Sequence, residues 1–244
     1  MWSIIQIELY KIFKRPRTYI AFGAIAALIG VIQMGLKIDG ESYAAFLMKD
    51  INNTLIVDGK VLNGYLICYI LLQLLLVHVP LLVALIAADM LSGEANLGTL
   101  RLLFTTPYSR TQWVLAKFIA ASIYTILLLI WLAFLALFVS MWVFGTDDLF
   151  LMKSNYVVLI EGQDVFWRYV GAFVFASFSL LTVTALGFLM SSLANNSIGP
   201  IVATISAIVF FTILSTLVLV LMPVAAGLFA TVKAPPSKFP INEA

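Results

Sequence analysis

Long apolar runs alternate with shorter polar segments along the chain. Crossing about 30 Å of hydrocarbon takes about 20 helical residues, and five uncharged runs approach or exceed that length. They cover residues 18–36, 65–88, 118–146, 169–190 and 199–222. The last two are divided at 191–200, where Ser, Asn and Pro residues suit the start of a new helix. The pattern predicts an all-α, polytopic membrane protein with five recognisable spans.

The amphipathic N-terminal segment, residues 1–17, precedes the first apolar run. Its apolar residues follow helical spacing along one side, which predicts a helix lying in the membrane interface. Pro16 is expected to break this helix from the span that follows. A basic cluster next to the first span favours a cytoplasmic N-terminus. The residues expected to anchor the segment at the interface are Trp2, Lys11, Lys14, Arg15 and Arg17.

The polar segment between the second and third apolar runs has its own amphipathic pattern. One helix face carries Glu94, Gly98, Arg101 and Thr105, and the other carries Leu97, Leu100, Leu103 and Phe104. This predicts a cytoplasmic helix near residues 92–106 with a polar and an apolar face. The pattern equally suits a helix that docks a partner protein and one that lies on the inner leaflet.

The remaining polar segments complete the predicted topology. By alternation, residues 37–64 and 147–168 lie outside the cell, residues 18–232 form the membrane domain, and 233–244 form a polar tail. His78 lies within the second run, where an ionisable side chain is a candidate for proton transfer. A relay needs a partner, and no predicted span contains an acid, so a neutral, hydrogen-bonded histidine is favoured.

Composition agrees with a membrane protein and excludes several other classes. Of 244 residues, 63% are hydrophobic and 11% are charged, whereas soluble domains average about 45–50% and about 25%. A net charge of +2 is too small to indicate nucleic-acid binding. The single cysteine and single histidine provide no cluster for a metal site or disulfide framework. We expect neither a metal site nor a catalytic residue.

The segment 89–118 resembles the permease subunits of ABC-2 type transporters. The resemblance rests on the order and spacing of its residues between the second and third spans. The N-terminal Glu8-x-x-Lys11 and Arg15-Pro16 fit the same family. The matching residues of the segment are Glu94, Gly98-Thr99-Leu100, Arg101-Leu102-Leu103, Pro107, Ser109-Arg110 and Lys117-Phe118.

The resemblance implies a cytoplasmic elbow helix, six spans rather than the five recognised, and a coupling helix between the second and third. It also implies a multi-pass protein of the bacterial inner membrane that pairs with itself or a sister permease and binds two ATP-binding subunits. ATP and Mg would be held by those subunits, since this chain contains no G-x-x-x-x-G-K-[ST] loop. The residues it assigns to coupling are Glu94, Gly98, Thr99, Arg101, Pro107 and Arg110.

Three classes of function follow from these observations. The favoured one is a permease that uses ATP hydrolysis on a partner to export a substrate across the membrane, in contact with its lipids. The second is a permease-like scaffold that energises an envelope machine without moving cargo. The third, a secondary carrier or channel, is less favoured because the predicted spans contain no charged residue.

Overall fold

A computed structural model describes residues 1–48, 62–99, 108–153 and 156–233. In these ranges a π-helical segment, Phe134–Val139, joins two of the helices, and two strands, β1 (Leu149–Lys153) and β2 (Tyr156–Ile160), form a hairpin. The helices are α1 (Trp2–Lys14), α2 (Pro16–Met48), α3 (Gly64–Ala87), α4 (Ser92–Asn96), α5 (Arg110–Ala133), α6 (Ser140–Phe144), α7 (Gly162–Ser192) and α8 (Ile198–Lys233).

Five helical stretches of the described chain are long and apolar enough to cross a membrane, which confirms the all-α polytopic architecture. Residues after Lys233 lie outside the described part, so the sixth span stays an expectation. The five stretches are Pro16–Gly40, Gly64–Ala87, Arg110–Phe144, Gly162–Ser192 and Ile198–Leu219.

Several helices begin or end inside segments predicted to be loops. Helix α2 continues to Met48, although the loop was predicted from residue 37. Helix α5 begins at Arg110 rather than at Phe118, because Ser109 and Gln112 form a capping box at its start. Hydropathy marks the apolar part of a helix and misses such polar first turns. The earlier start places Lys117 inside the third membrane-capable stretch, Arg110–Phe144, which therefore extends beyond the uncharged run predicted from hydropathy.

The predicted outer loop 147–168 contains the two strands. They pair antiparallel, from Leu149 opposite Ile160 to Lys153 opposite Tyr156. Neighbouring valines in the second strand favour extended structure, a signal that the hydropathy pattern did not use. The hairpin is a small addition to a helical membrane protein.

The buried apolar core lies mainly among α2, α3, α5 and α7, and Ile25, Leu71 and Leu128 are among its fully buried side chains. Thr125 of α5 and Thr184 of α7 meet there with their hydroxyl oxygens 2.8 Å apart. By internal packing the chain divides into Met1–Ile205 and a second unit that starts at Ser206. The described part of the second unit is the remainder of α8.

A buried amide crosses from the first span to the π-helical segment. Gln33 donates from Nε2 to the carbonyl oxygen of Leu135, at 3.2 Å, and to the hydroxyl oxygen of Ser140, at 2.9 Å. A π-helical turn changes the backbone bonding of a helix, and a carbonyl inside a membrane needs a donor from the protein. Gln33 supplies that donor and ties the first span to the third.

Replacing Gln33 by Leu should therefore destabilise the protein by about 1–3 kcal/mol, because the buried carbonyl loses its side-chain donor. Thermal unfolding of the detergent-solubilised protein measures the effect. Gln73→Leu is the matched control, since Gln73 lies exposed on the second span. Equal melting temperatures for the two variants would contradict this role of Gln33.

Candidate functional site

The segment between the second and third spans begins with the short helix α4, which ends in a glycine turn. Gly98 has a φ of 71°, a left-handed conformation that glycine adopts readily. The amide of Thr99 donates to the Glu94 carbonyl at 3.1 Å, and that of Gly98 donates to the Ala95 carbonyl at 3.0 Å. These two bonds form a Schellman motif, which terminates a helix.

The glycine turn corrects the prediction of a continuous helix near 92–106. Because the chain leaves the helical path at Gly98, α4 ends at Asn96, and residues 100–107 lie outside the described part. Leu97, predicted to lie against the spans, is instead 71% exposed. Glycine as a helix stop signal was present in the sequence, but the helical spacing was extended across it.

Glu94, predicted on the exposed polar face, is 5% exposed. Its Oε1 atom accepts from the Nζ atoms of Lys117, at 2.8 Å, and Lys11, at 3.1 Å. Helices α1 and α5 pack against each other and contribute these two partners from distant parts of the sequence. Glu94 is therefore paired inside the protein, and its role in coupling stays a prediction.

Glu8 closes this arrangement into an ion-pair ring, formed by Glu8, Lys11, Glu94 and Lys117. The Nζ atom of Lys117 lies 2.7 Å from Glu8 Oε2, and that of Lys11 lies 2.8 Å from Glu8 Oε1. Carboxylates and ammonium groups thus alternate, with no net formal charge. Lys117 and Glu8 are each 1% exposed. Buried charges are tolerated when they are paired and hydrogen-bonded, and here each has two partners.

The ion-pair ring shifts the pKa values of Glu94 and Lys11 in opposite directions. Burial alone would raise the pKa of Glu94, but Lys117 and Lys11 outweigh it and hold the pKa below the usual 4.5. Burial would lower the pKa of Lys11, but Glu8 and Glu94 outweigh it and raise the pKa above 10.5. The contribution of Glu94 to stability is therefore full above pH 4.5 and falls as pH drops through its folded-state pKa.

A second set of ion pairs, the arginine clamp, consists of Arg15, Arg17 and Asp89. Both guanidinium groups donate from Nη1 to the same oxygen, Asp89 Oδ2, at 3.0 Å and 3.1 Å. Asp89 is buried, and a β-carbon at Gly93 would lie 2.7 Å from its other oxygen, Oδ1. Only glycine at that position lets α4 approach the carboxylate so closely. The clamp joins the start of the first span to the end of the second.

The fourth span holds the first turn of α4. Ser191 is buried, and its hydroxyl oxygen accepts from the amides of Leu91 and Ser92, each at 3.0 Å. Gly187, one turn earlier, allows α7 to approach the end of the second span, since a β-carbon there would lie 3.1 Å from Ala87 Cβ. Helix α4 is therefore bonded to α1, α5 and α7 and follows directly from α3.

The other residues predicted for the site take different positions. Gly98 and Thr99 are exposed in the turn, and Arg110 is exposed at the first residue of α5. Arg101 and Pro107 lie outside the described residues. Within α1, Trp2 is exposed, and the Nζ atom of Lys14 lies 5.7 Å from the centre of the Tyr10 ring. Their anchoring at a lipid interface stays a prediction.

Four residues of the site had no assigned role in the sequence analysis: Glu8, Asp89, Lys117 and Ser191. Glu8 and Lys117 belonged to the matched motifs, but nothing in their spacing shows that they meet. Glu8 and Lys117 lie on elements separated by the first and second spans, so their contact depends on tertiary structure. The detectable signal was Lys117 itself, a lysine followed directly by a long apolar run.

Five membrane-capable helices define a multi-pass membrane protein. The short helix α4 follows the second span and is bonded to the third and fourth. The chain belongs to the ABC-2 transporter family, because the family model described as ABC-2 family transporter protein matches residues 2–235. It is thus a membrane component of an ABC transporter, which implies association with an ABC ATP-binding subunit. No protein of curated function matches the sequence significantly.

The ion-pair ring predicts a large effect for a single buried substitution. Lys117→Met leaves two buried carboxylates with one ammonium group between them and should cost about 3–5 kcal/mol of stability. Thermal unfolding in detergent measures this loss. The double variant Lys117→Met, Glu94→Gln keeps a balanced Glu8–Lys11 pair and should recover part of it.

Asp164→Asn is the control for the ring. Asp164 pairs with Arg168 at 3.7 Å, and both side chains are mostly exposed, so its loss should cost less than about 1 kcal/mol. A double variant less stable than Lys117→Met alone would show that the ring does not balance charge as described.

Proposed function

We propose that this chain is the permease subunit of an ABC exporter, in which α4 and the turn after it receive motion from an ATP-binding partner. The observation that carries the proposal is the set of bonds around α4. The short helix is joined to α1 and α5 by the ion-pair ring and to α7 by Ser191. A displacement applied at α4 is thereby transmitted to several spans together.

The partner supplies the nucleotide chemistry in this proposal. Two ATP-binding subunits hold ATP and Mg, and their closure moves α4 in each of two permeases, which are either two copies of this chain or this chain and a sister permease. The N-terminus and α4 lie in the cytoplasm of a bacterial cell, below its inner membrane. A rigid connection between α4 and the spans suits this transmission of motion, since packed elements shift as units between discrete arrangements.

The docking surface in this proposal is the glycine turn rather than Glu94. Leu97 offers an exposed apolar side chain, beside the exposed Gly98 and Thr99. Arg110 is exposed at the start of the next helix. Together with Arg101 and Pro107 of the intervening segment, these residues form the proposed contact. Glu94 then supports this surface from inside the protein, through its ion pairs with Lys11 and Lys117.

Leu97→Asp tests the docking surface. Burial of a leucine side chain contributes about 1.5–3 kcal/mol, so its loss should weaken the complex with the ATP-binding subunit by roughly tenfold to hundredfold. The affinity of the purified permease for its ATP-binding subunit measures this change. The melting temperature of the permease should stay unchanged, because Leu97 lies outside the core.

Leu193→Asp is the matched control, since Leu193 is 74% exposed in the turn after the fourth span, on the same side. It should leave the affinity unchanged. Equal affinities for wild type and Leu97→Asp would remove the docking surface from the proposal. ATP-dependent flux into reconstituted vesicles then separates an exporter from a scaffold, which would bind the partner and hydrolyse ATP without moving cargo.

A further inference from the structure

A cavity of about 260 Å³ lies beside the arginine clamp. Arg17 is at the start of the first span, Asp89 follows the second, and Ser197 precedes the fifth. The cavity is therefore level with the ends of the spans on the side of α1. The lining residues used below are Arg15, Arg17, Asp89, Gly93, Asn96 and Ser197.

The charges around this cavity favour an anion. Two guanidinium groups face one carboxylate and share a single oxygen of it, which leaves one formal positive charge. The bond to Asp89 uses only one of the several N–H donors of each guanidinium. The side chains of Arg15 and Arg17 are 35% and 55% exposed, so both remain accessible from the cavity.

Two backbone carbonyls near the cavity already have hydrogen-bond donors, which limits their repulsion of an anion. The carbonyls of Glu94 and Ala95 at the end of α4 already accept bonds from the glycine turn. Asn96 and Ser197 add an amide and a hydroxyl group to the lining. The volume accommodates a phosphate group with several waters, each of which occupies about 30 Å³.

We propose that this cavity binds the phosphate group of an anionic phospholipid. Phospholipid phosphates lie at the boundary between hydrocarbon and water, the depth at which the spans end, and arginine binds phosphate oxygens in a bidentate manner. Asp89 holds the two arginines in place and competes with the phosphate for them. Leu97 also lines the cavity, so the site adjoins the docking surface proposed above, and lipid binding is tested on the permease without its partner.

Native mass spectrometry of the full chain, purified in detergent, tests this proposal. Phosphatidylglycerol and phosphatidylcholine, which share a phosphate but differ in net charge, are titrated in parallel. Wild type should retain phosphatidylglycerol preferentially. The double variant Arg15→Gln, Arg17→Gln should bind it about tenfold more weakly or worse, because charge-assisted bonds to phosphate are lost.

Two further variants separate binding from folding. Asp89→Asn keeps both arginines and removes the competing carboxylate, so its affinity for phosphatidylglycerol should rise severalfold; a purely structural clamp predicts no rise. Lys37→Gln is the control for loss of a positive charge elsewhere, since Lys37 is exposed near the opposite end of the first span. It should leave lipid binding unchanged.

Three results would overturn the proposal. The first is equal retention of the two lipids by wild type. The second is lipid binding that is unchanged or weaker in Asp89→Asn. The third is displacement of phosphatidylglycerol by millimolar inorganic phosphate, which would indicate a site for a soluble anion. If lipid fails to bind but an acidic peptide from the ATP-binding subunit protects the arginines, the cavity is a protein contact instead.

Discussion

A buried ammonium group, that of Lys117, governs how α1, α4 and the start of α5 are arranged. Lys117 lies in the third span at 1% exposure, where an unpaired charge costs several kcal/mol. Glu8 and Glu94 neutralise it from two other elements, at 2.7 Å and 2.8 Å. To bring them there, α1 must fold back along α5, and the chain after the second span must turn inward at α4.

The remaining local features make that turn possible. Gly93 gives Asp89 the room to reach the arginines, Ser191 satisfies two amides at the start of α4, and Gly98 ends the helix. None of these residues offers much apolar surface. They fix the path of the chain through α4. The exposed Leu97 therefore projects from a segment that otherwise packs against the rest of the protein.

Buried ion pairs are a weak source of stability, because well-packed apolar residues often replace them without loss. The ion-pair ring is better suited to selecting one packing arrangement of α1, α4 and α5 than to adding stability. Apolar residues at its four positions would pack in several registers, whereas alternating charges favour one. Under the proposed function, in which α4 receives motion from the partner, a single defined attachment is the useful property.

The sequence predicted the architecture well and the site poorly, for physical reasons. Membrane spans follow from local hydropathy, so all five were recognised. Span ends depend on caps such as Ser109 with Gln112, which lie in polar sequence. Gln33 and Glu94 were missed or misplaced because their partners are remote in the chain. Gly98 was visible as a stop signal, but the helical spacing was given more weight.

The central claim is that the ion-pair ring joins α1, α4 and the third span into one unit. Hydrogen–deuterium exchange of wild type and Lys117→Met tests it most directly, since exchange reports cooperative local opening. The account predicts that amides of residues 2–14 and 91–97 exchange faster together in the variant, while those of 65–87 keep their protection. Unchanged exchange in α1 and α4, or faster exchange in only one of them, would contradict it.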